Sequence, residues 1–286
     1  MFLSRVIFAT LLVLAITAAL CLDMWLKSDL AFTAVFGFFV VTATAEFFAM
    51  AKRNGHTPFN TLGTATVGAL VAGYWADQHF EGQGHWVYVV AFGFILALFV
   101  LQGFASPRKA GVVSVALTVF GVFYIWVLAG FIQRMSYLEG VNPKMLGTFR
   151  YWGVIVFLIT VKSSDIGAYL VGKFIGKHHP FPKISPGKTI EGYAAGLLAA
   201  MGVGIASGTY ILGGYAWYWW AAFGAMMWLF GSMGDLFESI IKRDLGAKDS
   251  AKLIPGLGGV FDQLDSVLLA GPAAYIWLAS MSSWSF

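Results

Sequence analysis

Long apolar runs alternate with short polar connections along almost the whole chain. Nine runs can be placed, at roughly 6–22, 30–50, 61–76, 86–104, 111–131, 151–171, 190–211, 216–234 and 264–281. A membrane-spanning helix needs about 20 mostly apolar residues. The pattern therefore predicts an all-α, polytopic helical integral membrane protein with about nine transmembrane helices. Glycine recurs inside the runs, which suits close helix packing in lipid. The aromatic run Tyr215–Trp220 suits an interfacial belt, or ordinary lipid-facing bulk. Residues 1–150 read as five spans with little distinctive polar chemistry. Residues 151–286 read as a C-terminal transmembrane region that carries the motifs.

Composition agrees with the pattern. Of 286 residues, 59% are hydrophobic and only 11% charged, against about 25% charged in a soluble domain. The net charge of +4 is small, and no basic, aromatic-interleaved face suggests a nucleic-acid partner. Cys21 is the single cysteine, which excludes an intrachain disulfide and a cysteine zinc cluster. The first run is long, has Arg5 as its one early cation and lacks a clear A-x-A site. It is expected to be an uncleaved first helix rather than a signal peptide.

The cations are unevenly distributed. With nine spans, the N-terminus and the loops 51–60, 105–110, 172–189 and 235–263 share one side and hold thirteen cations. The other side holds four, and Lys162 lies within a span. By the positive-inside rule the richer side is cytoplasmic.

Two stretches concentrate the polar chemistry. Residues 231–266 hold six carboxylates (Asp235, Glu238, Asp244, Asp249, Asp262, Asp265) and four cations (Lys242, Arg243, Lys248, Lys252), with a Pro-Gly-x-Gly-Gly turn at 255–259. Carboxylates bind hard cations such as Mg²⁺, and lysine, arginine and glycine amides bind phosphates. Asp235 ends one apolar run and Asp262 and Asp265 open the next, where carboxylates are costly and point to function. If the helix end near Asp235 meets the helix start near Asp262, the two carboxylates can face each other. The plainer alternatives are a solvated polar loop, or charges that brace two helices. In the second stretch, 162–192, Lys162 and Asp165 share a helical face and either neutralise each other or contribute Asp165 to a site. Further along, Ser185, Pro186, Lys188 and Thr189 predict a turn, a phosphate-attracting lysine and a helix cap. Glu46, inside the second run, is either a packing glutamate or a site residue.

The run Ser239, Lys242-Arg243, Lys248-Asp249, Pro255-Gly256, Gly258-Gly259, Asp262 and Asp265-Ser266 resembles the C-terminal motif of CDP-diacylglycerol synthases, the phosphatidate cytidylyltransferases. Asp165, Ala168, Tyr169, Ser185, Pro186, Lys188, Thr189, Glu191 and Gly192 resemble a second motif of the same family. Two positions depart from the pattern: Leu257 stands where the family usually has His, and Gln263 where it usually has Arg.

The resemblance implies the conversion of CTP and phosphatidate to CDP-diacylglycerol and pyrophosphate at a lipid bilayer. It also implies Mg²⁺, in a one- or two-metal site. The metal-binding candidates are Asp235 and Asp262, then Asp265 and Asp249. The phosphate-binding candidates are Lys188, Lys242, Arg243, Lys248 and Lys252, with Ser185 nearby and Gly256, Gly258 and Gly259 offering backbone. The expected setting is a bacterial inner membrane, with the site facing the cytoplasm; a homodimer is one assembly considered. The alternatives are a CTP-dependent enzyme acting on another lipid (a CDP-archaeol-type synthase or a polyprenol or lipid kinase), an inactive relative, and a transporter with buried carboxylates.

Overall fold

The computed structural model describes residues 2–80, 84–104, 111–138, 149–213, 215–251 and 258–283. Among the described residues there are nine α-helices and no strand element: α1 (Phe2–Leu26), α2 (Leu30–Arg53), α3 (Asn60–His79), α4 (His85–Phe104), α5 (Val112–Met135), α6 (Phe149–Phe174), α7 (Ile190–Ser207), α8 (Trp217–Asp244) and α9 (Phe261–Ser283). A π-helical turn, Gly208–Leu212, continues α7. The protein is an all-α, polytopic helical membrane protein. Among the described residues, six segments are long and apolar enough to cross a bilayer: Leu30–Arg53, His85–Phe104, Val112–Met135, Tyr151–Phe174, Ile190–Leu212 and Phe261–Met281. The helix count matches the nine expected runs, but fewer meet the spanning criterion. The Asn, Thr and Gly residues of α3, and in α8 the Trp and Tyr residues at its start together with the charges at its end, lower the hydropathy of two of the others.

The chain forms two compact units. One contains Met1–Leu14, Phe131–Arg243 and Gln263–Phe286; the other contains Ala15–Gly130 and Asp244–Asp262.

In the first unit, α7 and α8 approach at glycines. A Cβ on Gly224 would collide with the Ala200 carbonyl, and one on Gly204 would lie 2.7 Å from the Trp220 carbonyl. Helices α8 and α9 meet in the same way, because a Cβ on Gly234 would collide with the Asp265 carbonyl. Such approach replaces side-chain bulk with backbone contact, the usual source of helix association in lipid.

In the second unit, α2 contributes a buried aromatic pair, Phe47 and Phe48. The Phe47 ring lies 6.0 Å from Phe261 and 5.9 Å from Phe120. The start of α2 is capped from α1. Asp23 accepts hydrogen bonds from the amides of Ala31 (3.0 Å) and Phe32 (2.8 Å) and from the Ser28 hydroxyl (2.8 Å). A carboxylate borrowed from another helix satisfies amides that a helix start otherwise leaves unpaired.

Candidate active site

Helix α8 does not stop where its apolar run ends. It continues to Asp244, so Asp235, Glu238, Ser239, Lys242 and Arg243 are all helical. The i,i+4 pair Glu238–Lys242 favours this extension: Lys242 Nζ is 2.6 Å from Glu238 Oε2. Contact at Gly234 sets the register against α9. The carboxylate that α9 brings to Asp235 is Asp265, one turn further along than Asp262.

Asp235, Glu238 and Asp265 each offer an oxygen, and these oxygens lie within 4.8 Å of one another. Glu238 is fully buried, while Asp235 and Asp265 are partly exposed. Three convergent carboxylates form a hard, all-oxygen donor set, which fits a divalent cation such as Mg²⁺ better than a softer metal.

Lys188 reaches this cluster from the segment before α7, with Nζ 2.8 Å from Asp235 Oδ2. Burial pushes its ammonium toward a lower pKa, but the charge and hydrogen bond of Asp235 outweigh this, and the net shift is upward. Lys188 is therefore a fixed cation at neutral pH and not a base.

The residues around Lys188 explain the spacing of its motif. Ser185 turns the chain, donating its amide to the Phe181 carbonyl (2.9 Å) and accepting at its carbonyl from the Lys188 amide (3.2 Å). Thr189 caps α7 by accepting from the Gly192 amide at 3.1 Å. Glu191 accepts from the amides of Lys177 (3.1 Å) and His178 (3.3 Å), and its other oxygen lies 2.6 Å from His178 Nδ1. A Cβ on Gly192 would lie 2.7 Å from the Ala168 carbonyl. Each fixed position thus turns, caps or packs the segment that carries the lysine.

Lys162 is buried in α6, with Nζ 3.2 Å from Asp165 Oδ2, 2.8 Å from the Gln263 carbonyl and 3.1 Å from Ser266 Oγ. Ser266 in turn donates to Asp165 Oδ2 at 2.8 Å. The pairing, one of the two alternatives that the sequence leaves open, is present and also fastens α6 to the first turns of α9. We expect Lys162→Met to lower the unfolding free energy by about 3 kcal/mol. That is the low end for a broken buried pair, because the Asp165 side chain is 39% exposed. Lys162→Met/Asp165→Asn should recover most of the loss. Denaturant titration in detergent checks this, and an unchanged midpoint in Lys162→Met would contradict it.

Arg243 is exposed at the end of α8, and Lys248 and Asp249 are exposed beyond it. Asp262, in the second unit, accepts at Oδ2 from the Ser250 amide (3.0 Å), the Ser250 hydroxyl (2.9 Å) and the Gly259 amide (2.7 Å). Lys252, Gly256 and Leu257 lie outside the described residues. Glu238 was not singled out by sequence, although its spacing from Asp235 and Lys242 carried the signal.

The family model for the cytidylyltransferase family matches residues 3–281. The chain belongs to the cytidylyltransferase family. Among curated relatives, a Mycobacterium bovis protein named phosphatidate cytidylyltransferase is 35% identical over 191 residues, covering 64% of this chain and 59% of its own length. Phosphatidate cytidylyltransferase 4, chloroplastic, of Arabidopsis thaliana is 34% identical over 207 residues, covering 67% of this chain and 52% of its own. A Staphylococcus aureus phosphatidate cytidylyltransferase is 34% identical over 203 residues, covering 69% and 73%. This cytidylyltransferase-family chain spans little more than half the length of the first two relatives.

Proposed function

We propose that this protein transfers the cytidylyl group of CTP to phosphatidate, forming CDP-diacylglycerol and releasing pyrophosphate. The observation that carries the reading is the three-carboxylate cluster with Lys188 paired to it. Membership of the cytidylyltransferase family and the names of the relatives supply the substrate class.

In this reading a phosphate oxygen of the lipid attacks the α-phosphorus of CTP. A new P–O bond forms, the bond from the α-phosphorus to the bridging oxygen breaks, and its electron pair leaves with pyrophosphate. The attacking phosphate is already an anion, so no strong base is required and positioning dominates the rate. Asp235, Glu238 and Asp265 would hold Mg²⁺, which when bound supplies positive charge to the attacking and leaving oxygens. Lys188, ion-paired yet permanently charged, would bind a phosphate of the nucleotide or the lipid. Lys242 would shift between Glu238 and phosphate, and Arg243, exposed at the helix end, would add charge for incoming CTP.

The lipid is tested with a panel: phosphatidate, an ether-linked archaeal-type phosphate, a polyprenyl phosphate and unphosphorylated diacylglycerol. Cytidine should appear on phosphatidate first. Transfer to another lipid phosphate in preference to phosphatidate would replace the substrate and keep the chemistry.

The site should face the cytoplasm, where CTP is made. The uneven distribution of cations across the loops supports that orientation. In a Cys21→Ala background, cysteines placed at 183 and at 248 should react with an impermeant thiol reagent from the cytoplasmic side of sealed vesicles. Reaction of the two from opposite sides would break the reading.

A further inference from the structure

Lys162 stands in the middle of α6, inside a membrane span, with 5% of its surface exposed. A lysine there is costly to keep. Pairing with Asp165 explains only part of it, because a buried ion pair is often no more stabilising than well-packed apolar side chains. The ammonium has three protons to donate, and three oxygens take them: Asp165 Oδ2 (3.2 Å), the Gln263 carbonyl (2.8 Å) and Ser266 Oγ (3.1 Å). An all-oxygen pocket of this kind is what hard cations are held in. Here the chain's own ammonium fills it and keeps no proton for a substrate, so Lys162 acts on its surroundings through charge.

That pocket adjoins the carboxylate cluster. Gln263 and Ser266 flank Asp265 on the first turns of α9. Helices α6, α8 and α9 converge at Gly231, one turn before Asp235 on α8. A Cβ on Gly231 would lie 3.6 Å from Val161, the residue before Lys162, and 3.6 Å from Ser266. Lys162 and Asp165 are, with Asp235, among the charges that act on Asp265.

These groups form one charge set. Lys188 pairs with Asp235, Lys242 with Glu238 and Lys162 with Asp165. Counted with Asp265 by formal charge, four carboxylates face three ammoniums, an excess of one negative charge. One divalent ion turns that excess into one positive charge, which favours incoming phosphates. A second divalent ion would leave three positive charges packed together.

We infer that Lys162 is a positioning residue that serves the cluster as its built-in second cation: it fills the oxygen pocket beside Asp265, and Asp235, Glu238 and Asp265 hold a single divalent ion. The pocket rests on geometry; its service to cytidylyl transfer rests on the proposed function.

The test counts Mn²⁺, a spectroscopic stand-in for Mg²⁺, on the full-length protein without nucleotide or lipid, by electron paramagnetic resonance of the free ion. The unsubstituted protein should bind one ion tightly, and Asp235→Asn should weaken it. Lys162→Met removes a positive charge, so the ion should bind roughly tenfold more tightly; damage to the structure would loosen it instead. Lys162→Gln keeps a hydrogen-bond donor in the pocket and should tighten the ion likewise, and it stands as the informative variant if Lys162→Met does not fold. Lys162→Met/Asp165→Asn leaves the charge excess as it was and should lose the added tightness. At saturating Mg²⁺, cytidylyl transfer by Lys162→Gln should nonetheless fall roughly tenfold. Two tight ions in the unsubstituted protein, none, or one indifferent to Asp235→Asn would overturn the inference. Unchanged or weaker binding in Lys162→Gln, or added tightness kept by the double variant, would overturn it too. Tighter binding with undiminished transfer would overturn the service to the reaction. One tight ion without cytidylyl transfer in the unsubstituted protein would defeat the proposed function and leave Lys162 as the cluster's internal cation.

Discussion

Asp235→Asn is expected to reduce cytidylyl transfer by at least about a hundredfold, the scale on which loss of one electrostatic group in an active site is felt. Two consequences act together. The cluster loses one of its three carboxylate oxygen donors, so Mg²⁺ would bind more weakly. Lys188 also loses the partner 2.8 Å away that orients it. The Mg²⁺ concentration for half-maximal rate should rise in Asp235→Asn, and excess Mg²⁺ should recover part of the activity. The side chain is partly exposed and Asn is nearly isosteric, so the fold should survive. A folded Asp235→Asn protein that works within about threefold of the unsubstituted rate would remove Asp235 from the metal site.

The second large effect belongs to Lys188. Replacing it with Gln keeps reach and hydrogen bonding but removes the charge. One lost charged contact is worth about 1.5–3 kcal/mol, or roughly one to two powers of ten in kcat/KM. Lys188→Arg keeps the charge on a wider, planar head and should lose less. Because Lys188 and Asp235 touch, their losses should not add: the double variant should fall short of the product of the single losses. Strict additivity in initial-rate measurements would mean that the pair does not act as a unit. The upward pKa shift of Lys188 means that its charge is fully present at neutral pH and is lost only above its ordinary range. Its contribution should therefore be flat through neutrality.

The residues that sequence made legible share one property: their meaning is local. Apolar runs of spanning length identified the helices. The turn and cap around Lys188 follow from neighbours within a few positions, and the Lys162–Asp165 pair from a spacing of three. What stayed hidden depends on how helices meet. Asp235 is joined by Asp265 because Gly234 lets the two backbones touch, and no spacing rule gives that register. Glu238 reads as one more charge in the 235–263 loop because the apolar run ends at 234, whereas the helix continues to Asp244. Glu46 could be read either as packing or as site, since its hydroxyl partner Ser250 lies 204 positions away.

The most direct measurement follows the phosphorus. Purified protein is supplied with Mg²⁺, phosphatidate and CTP labelled separately at the α- and γ-phosphates. The account predicts that α-label enters lipid, in step with cytidine, while γ-label leaves as pyrophosphate, and that chelation of Mg²⁺ stops both. Entry of γ-label into lipid would reveal a kinase, and no transfer of either label to any lipid phosphate would contradict the central claim.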